Sequence, residues 1–286
     1  MSKEQCYAQP GDCKAPEWNA VPANAVRPVV TLSEERCPGC MFLSAAWLTG
    51  PMEANGLRKH QSDELHFFLG GSWENPEPLN GEITFQIEND VLTLTDTCLV
   101  FVPAGAAHGN IHVKSLDRPV MHVMCHMNAG AYAYETAEAS APKGAYANHK
   151  VERYEPVDGK LPQAPEGFLK LLLWLDGAKL KGAPYTEAVW FLKTNDTGPE
   201  THVHSNLDEF IGFLGSDPEH PEELGATVQF LLDGEYITTT KPCIIYVPRN
   251  HEHSPILVPE LHRPIYHFSG GNGGDYAKEA NSTFAE

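Results

Sequence analysis

Thr201-His202-Val203-His204-Ser205-Asn206-Leu207-Asp208-Glu209, answered later by Pro248-Arg249-Asn250-His251-Glu252-His253, decides how this chain is read. Side chains alternate faces along a β-strand, so His202 and His204 point the same way and can hold one ion between them. Glu209 returns to that face after a short bend. His253 arrives from a second strand pair whose tight turn is set by Pro248 and Asn250. Three imidazoles and one carboxylate suit a first-row divalent metal: iron, manganese, nickel, copper or zinc, with iron or manganese first among them.

The pattern resembles the two sequence motifs of the cupin superfamily, in which His-x-His, a following Glu and a later Pro-x-Gly-x-x-His supply the metal ligands. Asn250 stands where the family has glycine, a mild departure because Asn also tolerates positive φ. Alternating histidines alone occur on plain exposed strands. Their combination with Glu209 and His253 at family spacing, each followed by a strand-like run, carries the resemblance.

The first half repeats the second. A displacement of 145 residues, the distance from Asp63 to Asp208, superposes Asp63-Glu64 on Asp208-Glu209 and Phe68-Leu69-Gly70 on Phe213-Leu214-Gly215. It continues without a gap through Phe85 and Phe230, Cys98 and Cys243, Val102-Pro103 and Val247-Pro248, His108 and His253, and His122 and His267. A repeat of this length is a domain, not a short solenoid unit. The expected fold is therefore all-β, two tandem cupin barrels of the double-stranded β-helix or jelly-roll type with few helices, as in a bicupin. The segments read as an N-terminal extension over 1–40, a first barrel over 41–128, a linker over 129–165, a second barrel over 166–268 and a tail over 269–286.

The first copy has a reduced metal motif. Arg58 sits where the first histidine belongs, and His60 is one residue closer to Glu64 than His204 is to Glu209. His60, Glu64 and His108 form a possible second site, a two-histidine, one-carboxylate set. An arginine close by repels a cation, yet it could fix an anionic group by bidentate hydrogen bonds.

Composition bounds the rest. The 286 residues suffice for two domains with cores, and 42% hydrophobic content excludes wholesale disorder. A net charge of −18 argues against nucleic acid as a partner. No apolar stretch is long enough for a membrane helix, and Met1-Ser2-Lys3-Glu4-Gln5-Cys6 does not read as a secretory signal. The expectation is a cytoplasmic protein with a small-molecule substrate, no membrane or nucleic-acid partner, and scope for a homo-oligomer. Seven cysteines are an odd count, which does not suit a disulfide framework. Cys98 and Cys243 read as buried small hydrophobes, and Cys37-Pro38-Gly39-Cys40 as a turn with two incidental thiols, Cys6 and Cys13 being conceivable zinc partners upstream.

Short β-rich runs recur between turn signals, at 82–87, 91–94 and 98–102 and again at 227–232, 236–240 and 243–247. A single short helix is expected in the linker around Glu135-Thr136-Ala137-Glu138-Ala139.

The resemblance names no reaction, because the scaffold serves dioxygenases, decarboxylases, isomerases, lyases, sugar-binding regulators and storage proteins. The complete ligand set implies an enzyme on a small oxygen-rich molecule, similar to flavonol and acireductone dioxygenases and to oxalate decarboxylase. The first expectation is an oxidoreductase of dioxygenase type, with Glu209 also able to leave the metal and act as a base. The alternative is a non-redox metal-dependent lyase, decarboxylase or isomerase, with His251 and Tyr246 as candidate proton carriers. A binding barrel without turnover is the third reading. Arg58, His66 and Lys193 are candidate substrate contacts. His122 and His267 read as a shared structural hydrogen bond, and Trp174 and Trp190 as core.

Overall fold

A computed structural model describes residues 7–11, 15–18 and 20–273. Its described residues form antiparallel sheets with no α-helix; the single helical element is the 3-10 turn Pro16–Trp18. In the first barrel one sheet runs Lys150–Val151, Cys98–Val102, Glu64–Gly70, Val120–His126, Phe42–Leu48, Val26–Leu32. The opposing sheet runs Glu135–Thr136, Met52–Lys59, His108–Leu116, Pro78–Ile87, Asp90–Asp96. The second barrel repeats this with Tyr7–Ala8, Cys243–Val247, Glu209–Leu214, Ile265–Gly271, Tyr185–Phe191 and Leu169–Leu175 facing Glu235–Thr239, Ala226–Leu232 and His253–Leu261.

The alternation of strand side chains explains why the central strands are buried throughout. In Glu64–Gly70, Phe68 joins the core inside the first barrel, whereas Leu65, Phe67 and Leu69 join a separate core between the barrels. In Glu209–Leu214, Ile211 and Phe213 face inward while Phe210 and Leu214 face the other barrel. Trp190 and Tyr266 anchor the shared layer with ring centroids 3.7 Å apart. Tyr266 Oη reaches across to donate to the Gly70 carbonyl at 2.5 Å.

The barrels also exchange edges. Tyr7–Ala8, which precedes the first barrel, pairs with Ile245 and Ile244 of the second; Lys150–Val151, which precedes the second, pairs with Val100 and Leu99 of the first. Each added strand covers an edge that would otherwise expose unpaired backbone. The strand Val26–Leu32 lies within the segment read as an extension, yet it pairs with Phe42–Leu48 in the first sheet. The expected linker helix is absent. Glu135–Thr136 is instead extended and paired with Lys59 and Arg58, because this segment has no apolar stripe to bury as a helix and the barrel edge offers backbone partners.

Trp174 and Trp190 are core residues, as read from the sequence. Cys98 and Cys243 are buried, and burial pushes both thiols up. Cys37 and Cys40 are buried as well, while Cys6 and Cys13 lie outside the described residues.

Candidate metal centres

In the second barrel His202 and His253 meet across an antiparallel bridge, each backbone N–H donating to the other's carbonyl at 3.0 Å. Asn250 donates its N–H to the His204 carbonyl at 2.6 Å from a turn in which its φ is 65°. The asparagine therefore does take the left-handed conformation that the family gives to glycine. The ring nitrogens of His202, His204 and His253 lie within 4.8 Å of one another. Glu209 Oε2 stands 3.0 Å from His253 Nε2 and 3.6 Å from His204 Nε2.

The ligand rings are oriented from behind. His202 Nδ1 bonds the Glu200 carbonyl at 2.7 Å and His253 Nδ1 bonds the His251 carbonyl at 3.0 Å. A carbonyl only accepts, so each Nδ1 carries the proton and each Nε2 lone pair is left for a metal. His253 Nε2 and Glu209 Oε2 are buried without a hydrogen-bond partner. Unpaired buried polar atoms are costly, and a cation held there would offset that cost. Burial would raise Glu209, but His204 and His253, when protonated in the absence of a metal, outweigh it and hold the carboxyl below its usual range. Burial lowers His202, favouring the neutral ligand form.

The first barrel brings His60, Glu64 and His108 together as expected and adds a fourth group, His126. Arg58 is in register with His108 as His202 is with His253, so it occupies the place of the missing ligand. His126 enters from the neighbouring strand, where it pairs with Glu64. Glu64 Oε1 is 3.2 Å from His60 Nε2 and in contact with His126 Nε2, while Oε2 is 2.5 Å from His108 Nε2. The three Nε2 atoms and Glu64 Oε1 have no hydrogen-bond partner. His60 and His108 donate from Nδ1 to the carbonyls of Ala133 and Ala106 at 2.7 and 3.0 Å. Each barrel thus gathers a mutually close trio, His202, His204 and His253 in the second and His60, Glu64 and His108 in the first, with Glu209 and His126 in contact with members of these trios from neighbouring strands.

His66 does not line an open pocket. Trp18 Nε1 donates to His122 Nδ1 at 3.2 Å. An indole N–H can only donate, so His122 carries its proton on Nε2 and donates to His66 Nδ1 at 3.1 Å. His66 then points Nε2–H at Glu64 Oε2, 3.4 Å away. Burial lowers His66 to about 4 and His122 well below the usual imidazole range, consistent with a neutral chain. Beside it Glu17, bonded by Ser44 Oγ at 2.6 Å, is pushed by burial up to about 7. His122 and His267 are therefore not doing one job: His267 Nδ1 donates to the Gly212 carbonyl at 3.1 Å instead.

Other candidates fall elsewhere. Tyr246 pairs beside Glu209 on the neighbouring strand but joins the core between the barrels, one residue out of phase with the metal-facing side. His251 bonds Asp233 Oδ2 at 2.7 Å in the exposed turn. Lys193 donates to the Glu166 carbonyl at 3.3 Å on the surface. Arg58 is half-buried, with its guanidinium 5.7 Å from the centroid of the Tyr132 ring. Arg58 Nε and Nη2 and the Tyr132 hydroxyl are buried without partners.

The second cluster opens into a cavity of about 90 Å³ lined by His202, Glu209, His253, Tyr185, Glu187 and Ser269, among others. An adjoining space of about 380 Å³ shares Glu187, His267, Gln163 and Ile256 with it and is walled by Phe168 and Asn195. Sequence reasoning missed Glu187. Its only signal was an acid at an alternating position within the strand-like run Tyr185-Thr186-Glu187-Ala188-Val189-Trp190-Phe191.

No family model and no curated protein matches the chain. Solved structures do. An arginine-to-alanine variant of Bacillus subtilis oxalate decarboxylase aligns with 12% identity over 97% of this chain and 79% of that one, at a TM-score of 0.61. The same enzyme at pH 4.6 aligns with 11% identity over 97% and 78%, at 0.60. A structure from a study of the Mn(II) centres of that enzyme gives 11% identity, 97% and 79%, and 0.60. At such identities the likeness is one of fold, and the fold is that of two cupin barrels.

Proposed function

We propose that the chain is a metal-dependent lyase of decarboxylase type, acting on a small carboxylic acid in the second barrel. The observation that carries this reading is the contrast between the clusters. The first is closed, its described ligands His60, Glu64, His108 and His126 at 2% exposure or less. The second keeps His202 half-buried and faces a small polar cavity. Closed ligand sets suit structural ions, and open ones suit catalysis.

His202, His204, Glu209 and His253 would hold a divalent ion such as manganese, which when bound supplies a Lewis acid for negative charge on a substrate oxygen. The chain's own groups do the rest. The hydroxyls of Tyr185 and Ser269 would orient a carboxylate, and Ile211 and Ile256 narrow the space and keep water from the reacting bond. The dioxygenase-type reading, first from the ligand set alone, gives way to its alternative. The similar folds belong to a decarboxylase.

One observation favours a second reading. Arg58 Nε and Nη2 and the Tyr132 hydroxyl, unpartnered above the first cluster, would suit a carboxylate held in that barrel by charge-assisted hydrogen bonds.

The test is to load the protein with manganese and offer oxalate, malonate and oxaloacetate, following carbon dioxide release and oxygen uptake together. The lyase reading expects carbon dioxide without stoichiometric oxygen consumption. Oxygen uptake matching turnover would return the dioxygenase reading.

A further inference from the structure

Glu187 faces the second barrel's cavity from the strand Tyr185–Phe191, directly opposite Ser269, which in turn pairs with Ile211. Glu209 lies two residues before Ile211 on that strand, so the two acids enter one cavity from strands separated by Ile265–Gly271. Among the described lining residues they are the acids, and no lysine or arginine accompanies them. The Glu187 carboxyl accepts from the Tyr154 hydroxyl, and its Oε1 lies 3.5 Å from Ser269 Oγ. It belongs to no metal set.

Glu187 is the one half-buried residue of an otherwise buried strand, and a carboxylate there costs stability unless it is neutral or well paired. In the first barrel Ser44, opposite Met124, stands where Glu187 stands opposite Ser269, and there it donates to the buried Glu17 carboxyl at 2.6 Å. Burial, with the charge of Glu209 adding to it, outweighs the hydrogen bonds from Tyr154, Tyr185 and Ser269 and raises the Glu187 carboxyl above the usual range, towards its protonated form. The other titratable groups around the cavity are His202, His253, His267, Tyr154 and Tyr185.

We infer that Glu187 is the proton donor of the second-barrel reaction, a role that rests on the lyase reading above. When the carbon–carbon bond to the departing carboxylate breaks, carbon dioxide leaves and the electron pair stays on the remaining carbon. That carbon takes the Glu187 carboxyl proton, so a C–H bond forms as the O–H bond breaks. The Glu187 carboxylate then recovers a proton from water through the Tyr154 hydroxyl, which links it to the half-buried rim.

The test uses the full manganese-loaded chain with oxalate, malonate and oxaloacetate in heavy water, comparing wild type, Glu187→Gln and Glu187→Asp. Wild type is expected to release carbon dioxide and to place deuterium on the product carbon. Glu187→Gln should lose at least about a hundredfold in kcat with KM and metal content little changed, and Glu187→Asp should restore part of kcat. Unchanged kcat in Glu187→Gln would overturn the assignment. So would an aspartate variant as inactive as the glutamine one while folded and metal-loaded, since that marks a structural position. Wild type inert to all three acids would remove the lyase reading, and the donor role with it; wild type alone reveals that outcome.

Discussion

His126 and Gly271 occupy the same position in the two barrels: His126 pairs with Glu64, Gly271 pairs with Glu209, and a side chain is present only in the first. A Cβ at Gly271 would meet Leu207 Cδ1 at 2.6 Å and the Asp208 carbonyl at 3.0 Å. Ser62 stands in the first copy where Leu207 stands in the second, and the smaller residue leaves room for an imidazole. Each barrel therefore completes its ligand set from the strand that its packing leaves open.

His126→Ala is expected to remove about one metal equivalent per chain, the one held by the first barrel, while His202→Ala removes the other. Elemental analysis of the purified variants reads this directly. Full metal in His126→Ala would mean that the imidazole is no ligand.

Trp18→Phe keeps an aromatic ring but deletes the N–H that sets the tautomers of His122 and His66. It should cost about 1–2 kcal/mol in stability and weaken first-barrel metal binding by roughly tenfold or more. Denaturant melts with a manganese titration check this; a variant as stable and as avid as wild type contradicts it.

His267 links stability to pH. Burial holds its folded-state value at about 4, below the usual imidazole value of 6.5. The unfolded chain therefore takes up this proton first. Its contribution is present above pH 6.5 and is lost as pH falls from there through about 4, a loss of order 3 kcal/mol. His267→Asn should flatten this part of the acid limb in melts from pH 7 to pH 4. A wild-type slope unchanged by the substitution would refute the assignment.

Asp208 closes the metal turn of the second barrel, accepting from the Arg249 N–H at 2.9 Å and from Asn272 Nδ2 at 3.1 Å. Asp63 does the same for Ala104 at 2.8 Å. Asp208→Ala should cost roughly 1–3 kcal/mol and loosen metal held by the second barrel more than by the first. Equal loss from both barrels in a metal titration would show the turn is not acting locally.

The second cluster was legible in sequence because its spacing is local: two histidines on alternate positions, a glutamate after one bend and a histidine after one turn. The duplication was legible because so many pairs share one displacement. His126 was not, since it reaches Glu64 only through strand pairing, and the repeat sets it against a glycine, so comparison of the copies hides it. Its trace lay in Val120-Met121-His122-Val123-Met124-Cys125-His126, where His122 and His126 share a strand face. Glu17 and Trp18 gave no periodic signal, because one 3-10 turn is too short to carry one. Tyr246 misled for the opposite reason: next to a ligand in sheet pairing, it belongs to the other face.

Carbon dioxide release from oxalate, malonate and oxaloacetate by manganese-loaded wild type, His204→Ala and His126→Ala tests the central claim most directly. A reaction seated in the second barrel predicts that His204→Ala abolishes release while His126→Ala keeps most of it. Release lost in His126→Ala and kept in His204→Ala would contradict the account and seat the chemistry beside Arg58 in the first barrel.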